Sequence, residues 1–193
     1  ALVQPPATAG PADATADELA PADLPDDVLI YTSPSRYCLS DEMAATAKEL
    51  FGAIPPGYGR VEKINAFVHN HLEYALGTST SVTTALAAYE NGVGVCRDFA
   101  HLAVTFCRAL DIPARYTFGY LPDIDKISMY PMDFHAWFEA YLGDRWWTFD
   151  PRNNDRRRGR IVVGRGCDAV DVATVTTYGD AALNELTVWS DLA

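Results

Sequence analysis

The chain has 193 residues, about half of them apolar, which is enough to bury one sizeable core and too few for two full domains. Its formal net charge of −11 sets it against nucleic acid and anionic membrane surfaces, since a polyanion is repelled at long range, and a neutral or cationic partner fits better. Four cysteines (Cys38, Cys96, Cys107, Cys167) stand at unrelated spacings with no CxxC pair, which suggests neither a zinc knuckle nor a disulfide framework and points to a reducing, cytoplasmic setting.

Residues 1–27 are rich in Pro, Ala and Asp and lack hydrophobic periodicity, the composition of a linker or poorly ordered arm; they carry neither a basic n-region nor an apolar h-region, and no stretch of the chain reaches the length of a membrane span. The catalytic domain is expected over residues 28–193. Ser40 is a suitable N-cap, Asp41 and Glu42 suit the positive end of a helix, and Met43, Ala47, Leu50, Phe51 and Ile54 recur at helical spacing up to Pro55 and Pro56. A second helix is expected from about Arg60 to Tyr74, with Val61, Ile64, Phe67, Val68 and His71 inward and Gly77 as its stop.

After a Ser/Thr-rich loop, a short helix through Leu86 to Tyr89 leads into the Gly-rich turn Asn91–Val95. The stretch Cys96–Leu110 then reads as a helix apolar on several sides, closed by Asp111, Ile112 and Pro113. Strands are expected at Arg115–Tyr120, His135–Leu142 and Arg145–Asp150, the last two joined by the hairpin signal Gly143-Asp144. The tail from Ile161 to Asp191, ending in Thr187-Val188-Trp189, reads as a returning strand that adds to the sheet. Helices first and strands afterwards make an α+β fold.

A thiol gains nucleophilicity when ionised, and a helix N-terminus favours the thiolate. Cys96 stands at such an end, behind glycines that let the backbone turn sharply, with amides close by to hold an oxyanion. Cys107, among Val104, Phe106 and Leu110, reads as core, as do Cys38 and Cys167. A lone free cysteine is most often a small buried hydrophobe; the hairpin numbering changes that weighing for Cys96. A two-residue loop sets Leu142 opposite Arg145 and therefore Trp137 opposite Asp150, which makes His135 the diagonal neighbour of Asp150 on one face, with α-carbons roughly 7 Å apart. A carboxylate on one imidazole nitrogen leaves the other free to take a thiol proton. Cys96, His135 and Asp150 thus fill three catalytic roles, while His69, His71 and His101 suit packing or hydrogen bonding.

The runs Gly92–Leu121 and Asp133–Asn153 and, more weakly, Ile64–Gly77 resemble bacterial transglutaminase-like proteins of the cysteine protease type. That resemblance covers about Tyr31 to Asp191 and implies a papain-like core, with the nucleophile helix packed on an antiparallel β-sheet and Cys96, His135 and Asp150 as the triad. It implies a cofactor-free hydrolase that cleaves peptide or isopeptide amides of a protein or peptide substrate through a thioester. Transamidation or deamidation of glutamine, and a non-catalytic binding module of the same fold, stand as alternatives.

Other features are read from the residues. Arg152, Arg156, Arg157, Arg158, Arg160 and Arg165 follow the triad aspartate closely; a solvated loop balancing nearby acids is the commoner reading, a carboxylate-reading patch the sharper one. Asn153 could orient a loop. Trp137 and Tyr120 are expected to line the substrate cleft. Glu139 shares the face of His135 and needs an arginine or water. Asp123 and Asp125 do not make an EF-hand loop, and no metal site is expected.

Overall fold

A computed structural model of the protein describes residues 15–122, 134–157, 159–173, 179–180, 182 and 184–185. In chain order these form α1 (Asp26–Leu29), α2 (Ala44–Phe51), α3 (Tyr58–His71), β1 (Glu73–Tyr74), α4 (Ala85–Asn91), β2 (Val93–Gly94), α5 (Cys96–Arg108), β3 (Ala114–Tyr120), β4 (Phe134–Leu142), β5 (Arg145–Phe149) and β6 (Ile161–Gly166). The four later strands pair antiparallel in the order β5-β4-β3-β6, and the helices pack on that sheet, so the α+β architecture expected from the sequence is the one found.

The core explains why α5 is apolar on several sides. Phe99, Leu102, Ala103, Val104, Phe106 and Cys107 are buried in one cluster with Val61, Ile64 and Val68 of α3 and Ala114, Phe138, Ala140, Leu142 and Phe149 of the sheet. Helix α5 is therefore wrapped by helices and sheet together, and no amphipathic stripe suffices for it. At its far end the buried Arg108 donates to the carbonyls of Ser33, Ala114 and Cys167, a cation placed where the helix dipole is negative.

Several boundaries differ from the sequence expectation for identifiable reasons. Ser40 is not a helix cap: residues 39–43 close a turn through the Met43 amide and the Leu39 carbonyl (3.2 Å), burying Met43, and the helix begins at Ala44. Helix α3 starts at Tyr58, after Gly57 takes φ 116°, and stops at His71. Glu73 and Ala75 leave the helix because their amides bond the Gly92 and Gly94 carbonyls (2.8 and 3.1 Å), which forms the short parallel pair β1–β2.

Within the segment expected to be an arm, residues 15–27 are ordered against the domain. Ala16 is buried, its carbonyl accepts from Tyr58 (2.9 Å), the Asp17 carbonyl accepts from Gly143 (2.8 Å), and Glu18 forms an ion pair with Arg60. Low hydrophobicity hid this, because the segment is held by backbone hydrogen bonds and one ion pair. The returning strand is found at β6, while Thr187-Val188-Trp189 lies outside the described residues.

The hairpin has the expected register, with Leu142 opposite Arg145 and Phe138 opposite Phe149, and Gly143 takes a left-handed φ of 63°. On the other side of β4, His135 lies opposite Gly119 of β3. A Cβ at Gly119 would meet the Ile161 carbonyl oxygen at 1.9 Å, so this glycine permits β6 to close on β3 directly behind His135. Gly119→Ala is expected to destabilise the protein by about 2 kcal/mol or more, as overpacking against backbone does; a urea unfolding midpoint equal to that of the parent would contradict it.

Candidate active site

Cys96 is the first residue of α5, where an amide finds no preceding helical carbonyl. This end is tied down tightly. The Asp98 carboxylate accepts from the Val95 amide (2.9 Å) and the Ser79 hydroxyl (3.0 Å), and Arg97 donates to Ser79 Oγ and the Thr80 carbonyl (both 2.6 Å). Val95 itself has no side chain able to cap, so Asp98 supplies the capping contact from three residues inside the helix. A Cβ on Gly94 would stand 2.8 Å from that of Asp98, which gives the Gly-rich turn a second purpose besides bending. Cys96 is half-buried and packs against the cluster of Ala100, Tyr116, Phe118 and Ala136.

His135 is the second residue of β4 and Asp150 follows β5, and the diagonal geometry deduced from the hairpin is realised: His135 Nε2 stands 2.8 Å from Asp150 Oδ2, with both residues buried. Cys96 favours the protonated form of the same imidazole, and Nδ1 is the ring nitrogen that Asp150 does not use. Burial alone would lower the proton affinity of His135, yet the Asp150 hydrogen bond and charge together with Cys96 raise its pKa above the ordinary value. Burial alone would likewise raise the Asp150 carboxyl, yet the His135 bond and charge, Arg160 and Asn153 hold it well below the usual carboxylate range.

Two residues of the site take roles the sequence reading did not give them, since it read Asn153 as able to orient a loop and Arg160 as one of an arginine-rich loop. Asn153 Nδ2 donates to Asp150 Oδ2 (2.9 Å) and its backbone amide to Oδ1 (3.1 Å), and it lies 3.2 Å from His135 Nε2. Since Nε2–H already points at the carboxylate, that last approach is two donors converging on one oxygen. Arg160, itself buried, donates to the same oxygen at 2.9 Å. The turn after Asp150 is held from behind by His69, whose Nδ1–H reaches the Pro151 and Arg152 carbonyls (3.1 Å each).

Trp137 does not line a cleft. It is wholly buried, its ring parallel to that of His135 at 6.1 Å and beneath the Arg160 guanidinium at 5.6 Å, so it backs the imidazole and excludes water from it. The expectation that it lines the substrate cleft fails because the ring is enclosed in the packing of the covered hairpin. Tyr120 is half-buried at the end of β3, stacked on Phe134 at 4.9 Å, and Phe134 in turn packs on the Cys96 cluster.

The other candidates are accounted for. His101 stacks on Tyr37, accepts from the Ala169 amide (3.2 Å), and is pushed down to about 3 by burial, so it stays neutral. His71 donates to the Tyr89 carbonyl (2.8 Å). Burial pushes the Cys38 thiol up to about 11 and raises Cys107 and Cys167 as well, so all three are poor nucleophiles. Of the arginines, Arg156 pairs with Glu62, Arg157 donates to the Pro122 carbonyl, Arg165 pairs with Glu139, and Arg152 lies over the Tyr74 ring; Arg158 lies outside the described residues. They do not gather into one carboxylate-reading patch. Glu139 has the arginine partners its position demanded, Arg115 (2.7 Å) and Arg165 (2.8 Å).

Residues 44–151, more than half of the chain, match the family profile described as the transglutaminase-like superfamily, and the chain belongs to that superfamily. A candidate cysteine protease from Cytophaga hutchinsonii superposes with a TM-score of 0.76 at 35% identity, over 91% of this chain and 63% of that one. The periplasmic domain of TgpA from Pseudomonas aeruginosa shares the fold, with a TM-score of 0.51 at 19% identity over 69% of this chain and 49% of its own. An uncharacterized protein of Mycobacterium leprae is 38% identical over 111 residues, which are 55% of this chain and 39% of that protein. The chain thus spans well under half of this curated relative and just under two thirds of the Cytophaga protein.

The raised His135 value carries a sign. Its protonated form contributes stability that is fully present below the unfolded value and is lost as pH rises through the folded one. Asp150→Asn removes the charge that holds the proton, so the pH at which His135 deprotonates is expected to fall by about one unit or more. Titration of the His135 ring by NMR checks this; an unmoved inflection would show that Asp150 does not set it.

Proposed function

We propose that the protein is a cysteine-nucleophile hydrolase that cleaves peptide or isopeptide amides through a thioester. The observation that carries this reading is the His135–Asp150 hydrogen bond, together with a Cys96 that stands on the first turn of α5 and favours the protonated form of that imidazole. The description of the Cytophaga relative as a candidate cysteine protease supports it.

In the reaction, His135 takes the thiol proton and the thiolate attacks the amide carbonyl carbon, whose oxygen gains the negative charge beside the amides at the start of α5. As the C–N bond breaks, the imidazolium returns its proton to the departing amine, which leaves an acyl group on Cys96. Water then attacks the thioester with His135 as base, releasing the carboxylic product and the thiol. Asp150 keeps the imidazole turned with Nε2–H inward throughout. An amine in place of water would give transamidation from the same intermediate. The free thiols agree with a reducing compartment, and the acidic chain with a protein or peptide substrate and no nucleic acid.

The reading is tested with iodoacetamide, followed at each cysteine by mass spectrometry, and with a peptide library supplied with water or amine acceptors. Preferential labelling of Cys96 and its loss of rate in His135→Ala are expected, along with amide cleavage that disappears in Cys96→Ala. Full activity in Cys96→Ala, or labelling led by Cys38 or Cys107, would refute it.

A further inference from the structure

The oxygen of Asp150 that His135 uses is unusually crowded. Oδ2 receives His135 Nε2 at 2.8 Å, Asn153 Nδ2 at 2.9 Å and an Arg160 nitrogen at 2.9 Å, while Oδ1 receives the Asn153 backbone amide at 3.1 Å. Arg160 is not a solvent-facing residue that has drifted close. Its side chain is 8% exposed, it sits over the Trp137 ring, and a second nitrogen donates to the Arg157 carbonyl, so the guanidinium is fixed from three sides. We infer that Arg160 is a positioning residue of the Cys96–His135–Asp150 site: by bonding the oxygen that His135 uses, it fixes the carboxylate's orientation and offsets its charge as the imidazole experiences it.

The physical argument is one of balance. A lone buried carboxylate against an imidazole holds the proton strongly, and an imidazolium that holds its proton too strongly is a poor acid for a departing amine. A fixed cation on the far side of the same oxygen weakens that hold without removing the hydrogen bond, so that aspartate and arginine together orient the ring much as a neutral acceptor would. Among the described residues the pair has charged and titratable neighbours on several elements: Glu62 and Lys63 of α3, with Asp155 and Arg156 of the turn after Asp150, line the cavity beside both. Cys96 comes from α5, with Tyr116 of β3 near it; Glu139, further along β4, is already matched by Arg115 and Arg165. Among the described residues Arg160 is the guanidinium bonded to Asp150. A cavity of about 300 Å³, lined by Tyr58, Asn65, Asp150 and Arg160 among others, adjoins the guanidinium and gives water a place to stand when the side chain is shortened.

This inference rests on the proposed hydrolase reading for its catalytic meaning, and its test is separable from it. The pH at which His135 deprotonates is followed by NMR, which needs no substrate, in the parent, Arg160→Gln, Arg160→Lys, Asp150→Asn and the double variant Asp150→Asn/Arg160→Gln. Arg160→Gln is expected to raise the inflection by about one unit, Arg160→Lys to leave it near the parent value, and Asp150→Asn to lower it. The double variant, which buries no unpaired ion, should return most of the way to the parent. An Arg160→Gln inflection equal to the parent's, or a double variant that coincides with Asp150→Asn, would overturn the inference. Should Arg160→Gln fail to fold, the second comparison decides alone. Failure of Cys96 to label preferentially with iodoacetamide in the parent would instead sink the hydrolase reading while leaving this cycle interpretable.

Discussion

The buried charge of Asp150 is the constraint around which this end of the molecule is organised. An ionised carboxylate removed from water costs several kcal/mol unless hydrogen bonds and an opposite charge replace the lost hydration. Here the replacements come from separate parts of the chain: His135 from the start of β4, Asn153 from the turn after β5, and Arg160 from the segment entering β6. Satisfying one carboxylate therefore fixes three backbone segments relative to one another. The same act orients the imidazole, so the stability of the sheet's open end and the geometry of the chemistry are one problem with one solution.

Cys96, the proposed nucleophile, is positioned by an independent route. Helix α5 is held along its length by the core and at its C-terminal end by Arg108, and its first turn is fixed by the Asp98, Arg97 and Ser79 contacts. Asp98 suits the positive end of the helix, and Arg97 lies 3.3 Å from its carboxylate, which tempers a negative charge two residues from the thiol. With the helix and the sheet both rigid, the separation between Cys96 and His135 is set by packing and does not depend on a mobile loop. Side chains carried on rigid elements hold reacting atoms better than side chains carried on loops.

How much of this the sequence discloses depends on the range of the interaction. The hairpin register was legible because Gly143-Asp144 fixes it locally, and the register then places His135 beside Asp150 by counting alone. The helix that begins at Cys96 was legible because a glycine turn, a cysteine and an apolar run adjoin one another. What escaped depends on contacts between distant segments. Arg160 looked like one member of an arginine-rich loop, and nothing local separates it from Arg156 or Arg157. Trp137 shares the strand face of His135, and whether that face is open or covered is decided by a later segment of the chain. Ser40 satisfies every local rule for a cap, and the helix nonetheless starts beyond it because burying Met43 in a turn is worth more. Ala16 and Glu18 sit in a stretch with the composition of a linker, but tertiary hydrogen bonds and Arg60 hold them to the domain.

The arginines illustrate why composition misleads at this scale. In a chain of net charge −11, a run of cations invites the expectation of a surface patch for acidic ligands. Instead two of them are used on the sheet itself, each on a carboxylate that lies on the same face of β4 or beside it: Arg160 on Asp150 and Arg165, with Arg115, on Glu139. Both carboxylates are at least nine-tenths buried. Breaking such a pair by removing one partner is costly because it leaves an unmatched buried ion, whereas replacing both together need not be. The two sites differ in what the carboxylate does with its remaining capacity. Among the described residues the hydrogen-bond partners of Glu139 are Arg115 and Arg165, and it serves the fold. Asp150 is also held by Asn153 and keeps one bond for an imidazole, and that bond, made by a histidine near the start of β4, separates a structural ion pair from a candidate catalytic one.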